Sequence, residues 1–140
     1  MPESELSVIR EMYRAVNEGD WDRSIELWAQ DAVLEVPVGG VNPGVFEGRD
    51  RIVKWFTDWF TTFAEGATFE LSELSELEDG SILAISEHRA RGRGSGVEVT
   101  AVVVWRDYVE HGKIVRQIAH NDREEAIAAA SKGAGSEFSL

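Results

Sequence analysis

The chain has no cysteine, so a disulfide scaffold and a thiol nucleophile are both excluded, and a reducing compartment is permitted. Basic residues are scarce. Fourteen Lys and Arg stand against 26 Asp and Glu, and 14 − 26 = −12, a field that repels phosphate backbones and excludes nucleic acid as a natural partner. No apolar run approaches the ~18 residues of a membrane span. The acidic, amphipathic start has neither the basic n-region nor the apolar h-region of a signal peptide. A soluble, cytoplasmic protein without membrane contact is expected. What is present is ordinary globular composition: 140 residues, 43% apolar and 29% charged, enough for one domain that buries about two-thirds of its unfolded surface. That domain is expected over 1–132. It is followed by a flexible tail, 133–140, in which Gly135-Ser136-Glu137-Phe138 resembles translated cloning sites.

Leu6, Ile9, Met12, Tyr13 and Val16 recur at helical spacing before Gly19, which predicts a helix over about 4–18. Asp20 caps a second, short helix whose Trp21, Ile25 and Trp28 form one stripe. Residues 32–36 read as a strand halted by Pro37. A loop over 38–48 comes next, with mobility from Gly39, Gly40 and Gly44 and with Phe46 placed to close over a ligand. Asp50 caps a third helix with a stripe of Ile52, Trp55, Phe56, Trp59, Phe60 and Phe63, ended at Gly66. From Ala67 the period is two, until a slip at Leu74 and Leu77 signals a bulge. Asp79-Gly80 predicts a two-residue hairpin into a strand over 82–91, and 92–96 turns the chain again. The strand over 97–109 is apolar on both faces in its middle, so both are expected to be covered. His111-Gly112 makes the next turn and 114–121 the last strand. Asp122 to Glu125 form a capping box for a helix over 124–131. Three helices with one early strand, a four-stranded antiparallel meander and a short final helix make the fold class α+β.

Four short motifs gain meaning together: Asn17-Glu18-Gly19-Asp20-Trp21, Leu27-Trp28-Ala29-Gln30-Asp31-Ala32, Phe46-Glu47-Gly48-Arg49-Asp50 and His111-Gly112-Lys113-Ile114-Val115. In this order and spacing they resemble the nuclear transport factor 2-like superfamily, SnoaL-like (polyketide cyclase/ketosteroid isomerase-like) branch, over about residues 4–131. The resemblance implies a cone-shaped, strongly curved, antiparallel-rich sheet wrapped around three N-terminal helices. A ligand cavity lies inside and the convex face serves a homodimer. Relatives include isomerases, epoxide hydrolases, dehydratases, cyclases and catalytically silent binders. Their reactive groups do not carry over. The ketosteroid isomerase base falls at Val36, its oxyanion-binding tyrosine at Met12 and its neutral acid at Trp105. The arginine and two aspartates of the epoxide hydrolases fall at His88, Ala90 and Ala119. Tyr13 is one residue from the tyrosine position, a rotation of about 100°, and Glu35 is one from the base, on the opposite strand face.

If Trp105 points into the cone, period two brings Val103, Asp107 and Val109 with it. Pairing about Gly94-Ser95 then turns Ala84, Ser86, His88 and Ala90 inward. Asp107 either lies on this apolar face with its pKa raised by desolvation, as a general base requires, or sits at the rim in water. His88 either forms a catalytic pair with Asp107 or is a satisfied core or interface histidine. Gln117 and Asn121 are candidate ligand-binding groups on the last strand, and Tyr13 is either a donor into the cavity or a core tyrosine. Trp28, Val36, Trp55 and Trp105 are expected to line a pocket for a small apolar molecule, the alternative for the tryptophans being plain core.

No cofactor and no metal is implied, since His88, His111 and His120 lack ligand spacing. Arg89, Arg91 and Arg93 before the glycines read as a solvated hairpin, and no GxSxG elbow occurs. Two functions stay open. One is a cofactor-free acid–base enzyme of isomerase, cyclase or hydratase type acting on a small apolar ring compound. The other is a non-catalytic, dimeric ligand-binding protein. The homodimer is expected to form through the outer sheet face at Val102, Val104 and Tyr108, which alternate with the inward set and lack helix cover.

Overall fold

The computed structural model of the chain describes residues 2–37, 43–63, 65–91 and 96–136. Apolar residues spaced by three and four build α1 (Pro2–Asn17), whose buried face is Ile9, Met12, Tyr13 and Val16. The Asp20 carboxylate accepts from the Arg23 backbone N–H at 3.2 Å and so starts α2 (Trp21–Glu26). This helix stops short of the expected Trp21/Ile25/Trp28 stripe. The Leu27 carbonyl accepts from the Ile114 N–H at 2.8 Å, and Trp28 opens β1 (Trp28–Val36). The segment expected as a loop contains β2 (Gly44–Glu47), antiparallel to β1, with Phe46 opposite Leu34 and packed against the core. Residues 38–42, and with them Gly39 and Gly40, lie outside the described residues.

Asp50 is not a cap but lies in the first turn of α3 (Arg49–Phe63). The Gly48 carbonyl takes the first helical N–H groups, from Arg51 and Ile52, and Gly48 itself has φ +95°, a region where a side chain is strained. The rest is a meander of β3 (Glu65–Glu76), β4 (Ile82–Arg91), β5 (Glu98–Glu110) and β6 (Lys113–His120), closed by α4 (Arg123–Ser136). The expected slip in β3 is a bulge at Ser72, between the pairs Leu71↔Ser86 and Glu73↔Ile85; the Ser72 hydroxyl donates to the Ile85 carbonyl at 3.1 Å. The β3–β4 turn is wider than two residues, because Glu76↔Ile82 is its last pair and the Asp79 carboxylate takes the Ser81 N–H inside it. The β5–β6 turn is the expected two-residue one, with positive φ at both His111 and Gly112.

The six strands form one sheet in the order β2-β1-β6-β5-β4-β3, with only β1 and β6 parallel. α3 touches β1, β2 and β3, strands from both ends of that order, so the sheet is curled around the helices. The pairs Ile82↔Asp107, Ala84↔Trp105, Ser86↔Val103 and His88↔Ala101 are symmetric about Gly94-Ser95, the register that the turn position required; residues 92–95 themselves lie outside the described residues. The fold class is α+β, as read from the sequence.

The main core joins α1, α3 and the inner sheet face. A second, smaller core lies on the outer face, where Leu83, Val104 and Ala126 of α4 meet Leu77 and Ile85. This corrects the expected free stripe. Val104 is covered by α4, and Tyr108 is half-buried, its hydroxyl donating to Asp79 at 2.8 Å and its ring under the Arg106 guanidinium; of the three, Val102 alone stands open. α4 also runs past the expected 131 into the segment read as a tail, of which 137–140 lie outside the described residues. Among the described residues no helix is long and apolar enough to cross a membrane.

Candidate functional site

Cross-strand pairing stacks the inner face into rungs. The first holds Leu34 of β1, Gln117 of β6, Asp107 of β5 and Ile82 of β4. Asp107 is fully buried, and burial pushes its carboxyl up to about 7, with a hydrogen bond from the Gln117 side chain acting the other way. Gln117 is equally buried. Apart from each other, neither the Asp107 carboxylate nor the Gln117 amide has a hydrogen-bond partner; Trp28 Nε1 is another such buried side-chain atom among the described residues. Burying polar groups without fully satisfying them costs about 1–3 kcal/mol each, which makes this pair the candidate site.

The second rung is Ala84, Trp105 and Ala119. Trp105 meets Trp55 edge-on at 6.2 Å, and Phe56 links both to Trp28, also at 6.2 Å. The three tryptophans expected to line a pocket thus form one aromatic cluster. Val36, at the end of β1, borders an apolar depression of about 470 Å³ together with Pro37, Pro43, Gly44 and Ala119.

The third rung brings in Ser86 opposite Val103. The Tyr13 hydroxyl donates to Ser86 Oγ at 3.3 Å, and Ser86 Oγ lies 3.0 Å from His88 Nε2. Tyr13 is buried; desolvation first, and then the charge of Asp107, raise its hydroxyl pKa. His88 stacks on Phe69, its partner across β3–β4, with ring centres 3.9 Å apart and planes 18° from parallel. Burial lowers its pKa to about 4, so the ring is neutral at pH 7.

Two expectations need correction. Asp107 and His88 share the inner face but not a rung, since His88 lies six residues of β4, about 20 Å of extended strand, from the residue paired with Asp107. No hydrogen bond joins them. Period-two parity fixes a face and says nothing of distance along it. Asn121 does not point inward. β6 ends at His120, and exposed Asn121 donates to Glu125 at 3.1 Å from Nδ2 in the cap of α4, where the Asp122 carboxylate takes the Glu125 N–H.

Sequence reasoning placed Ser86 on the inward parity, between Ala84 and His88, but gave it no role. On the outer face a network around the buried Arg106 was not foreseen: Arg106 donates to Asp79 at 3.1 Å and to His120 Nε2 at 3.2 Å, and His120 in turn meets the exposed Glu125 at 3.2 Å. Its members come from four separate segments.

Solved structures with this architecture include Bal32a, from a soil-derived mobile gene cassette, which is 20% identical over 84% of this chain and 88% of its own, with a TM-score of 0.75. A nuclear transport factor 2-like protein from Burkholderia pseudomallei is 23% identical over 89% and 95%, with a TM-score of 0.71. SalBIII, an epoxide hydrolase/cyclase-like enzyme with a role in pyran ring formation in the polyether salinomycin, is 26% identical over 85% and 92%, with a TM-score of 0.70. The chain matches none of the curated proteins. Residues 9–117, which run from the buried face of α1 to Gln117 on β6, match the SnoaL-like domain, and the chain belongs to that family.

Proposed function

We propose that this chain is a cytoplasmic, cofactor-free acid–base catalyst of the isomerase, cyclase or hydratase type, acting on a small apolar ring compound at the inner sheet face, with Asp107 as the proton-transferring group. One observation carries the reading: a fully buried carboxylate stands opposite an equally buried Gln117 amide, and neither has a polar partner besides the other. A carboxyl that titrates near neutrality is matched to proton abstraction at physiological pH. Gln117 supplies N–H donors for a carbonyl or hydroxyl next to the reacting carbon. Among the described residues, the buried side chains of the inner face include no Lys or Arg, which favours an uncharged ligand. The likeness to SalBIII, a cyclase-like enzyme, supports the same reaction class.

The test is deuterium uptake from D₂O into a panel of small cyclic ketones, followed by NMR. Uptake next to the carbonyl, rising as pH passes through about 7 and lost in Asp107→Asn while binding persists, supports the reading. A second reading, a non-catalytic dimeric binder, draws on the apolar residues Met12, Val36 and Trp105, buried where relatives carry reactive groups. Binding of panel members with no uptake at any pH, together with light scattering at twice the monomer mass, selects it.

A further inference from the structure

We propose that Trp28 is a second polar anchor of this site: its buried indole N–H, one rung along the sheet from Asp107 and Gln117, donates to an oxygen at the far end of the ligand. The substrate class is thereby narrowed to fused-ring compounds with one oxygen beside Asp107 and Gln117 and another at Trp28. The inference rests on the reading of the Asp107–Gln117 rung as the reacting end.

Trp28 is 1% exposed and packs between the sheet and α3, its ring centre 6.2 Å from that of Phe56. An indole N–H can only donate, and a buried one normally finds an acceptor. A tryptophan of purely structural role would bond a nearby carbonyl; Nε1 of Trp28 has no partner among the described residues. Register sets this orphan donor beside the site. Trp28 pairs with Ile114 and Ile114 with Val109, so their rung lies two residues along β5 from Asp107 and three along β6 from Gln117, the odd residue being absorbed at the Tyr108/Val109 irregularity. Neighbouring rungs are about 7 Å apart along a strand, and β1 is two strands across from β5, which gives a diagonal of about 12 Å between the Cα atoms of Trp28 and Asp107. Two fused rings with an oxygen at each end suit that span. The residues between the two poles, Leu34, Val109 and Ile114, are apolar and buried, so the middle favours hydrocarbon and the ends favour oxygen. The opposite side provides a way in: Val36, two residues past Leu34, and Ala119, two past Gln117, border the depression of about 470 Å³. From that mouth inward the order is apolar depression, Asp107 with Gln117, and then Trp28.

The test is nitrogen-15 NMR of the full chain labelled at its tryptophan indoles, with Trp28→Phe to assign the resonance, and two probes of one shape: 2-decalone, with one oxygen, and decalin-2,6-dione, with an oxygen at each end. In the unsubstituted protein the dione is expected to move the Trp28 indole proton downfield, 2-decalone to leave it near its free position, and the dione to bind about tenfold tighter. In Trp28→Phe the preference for the dione disappears. Equal binding of the two probes with an unmoved Trp28 resonance overturns the role of Trp28; deuterium uptake into 2-decalone that Asp107→Asn abolishes then leaves the acid–base reading standing. The indole shift and the tenfold preference without uptake at any pH defeat the acid–base reading and leave Trp28 as the anchor of a binding protein. Binding of neither probe overturns the proposed substrate class and the role of Trp28 with it.

Discussion

The Asn17 side chain bonds both backbone groups of Phe69, donating from Nδ2 to its carbonyl at 2.8 Å and accepting from its N–H at 2.7 Å. β3 is an edge strand, so these two groups face away from β4 and would otherwise be open to water or to another chain. The clamp fastens the end of α1, four residues beyond Tyr13, to the strand on which His88 stacks. Asn17→Ala should lower unfolding free energy by about 1–3 kcal/mol. Urea unfolding with an unchanged slope checks it, and Asn17→Asp, which keeps only the acceptor, should fall between.

Asp107 and His88 give opposite pH signatures. The folded-state pKa of Asp107 is raised from 3.8 to about 7, so the native state holds a proton that the unfolded chain has lost, and this contribution to stability fades as pH climbs from about 4 through 7. His88 is lowered from 6.5 to about 4, so its contribution is present above 6.5 and fades as pH falls toward 4. Between pH 4 and 6.5 the two oppose each other. His88→Gln should therefore leave stability falling with pH across this window, and Asp107→Asn should leave it rising. Thermal melts at half-unit pH steps measure both slopes.

Gln117→Leu removes a buried amide whose one polar neighbour is Asp107, leaving its other hydrogen-bonding capacity unmet, and should raise the stability of the ligand-free protein by about 1 kcal/mol. It also removes the group that holds the Asp107 carboxyl down, so that carboxyl should titrate higher. Chemical denaturation and the carboxyl resonance give the two readouts, and a stabilised variant that binds less ligand is the expected combination.

Two ion pairs on the sheet differ in burial. Arg106 and Asp79 have side chains 9% and 10% exposed, and Asp79 also accepts from Tyr108 and Ser81; Arg116 and Glu35 are 50% and 30% exposed. Asp79→Ala leaves a buried guanidinium without its carboxylate and should cost about 3 kcal/mol or more. Glu35→Ala should cost less than about 1 kcal/mol. Equal losses in parallel urea titrations would contradict this.

The inner parity of β4 and β5 was legible because a single register, symmetric about positions 94 and 95, relates every pair between Ile82↔Asp107 and Arg91↔Glu98. Local arithmetic sufficed there. It failed at Trp28, where helical spacing from Trp21 and Ile25 coincided with the start of a strand fixed by Ile114, and at Asn121, where alternation was carried one residue past the end of β6. β2 escaped notice because four residues between Pro43 and Gly48 give too little pattern to separate a strand from a loop. The bond from Tyr13 to Ser86 spans 73 residues, and the cover of Val104 by α4 depends on where a distant helix lands. No periodicity encodes either.

β1 enters the sheet by reaching β6, pairing Trp28 with Ile114 and Leu34 with Gln117, whereas β3 to β6 are joined by successive short turns. Closing so long a stretch of chain should be the slow event of assembly, with the meander formed first as the template on which the N-terminal third docks. Until α1 and β1 arrive, Asp107 stands in water and is ionised at neutral pH. Because burial pushes its carboxyl up to about 7, part of the folded population takes up a proton from solvent during docking, which couples the last step of folding to acidity. Mild acid should speed that step, and pulse-labelled hydrogen exchange should protect β4 and β5 before β1.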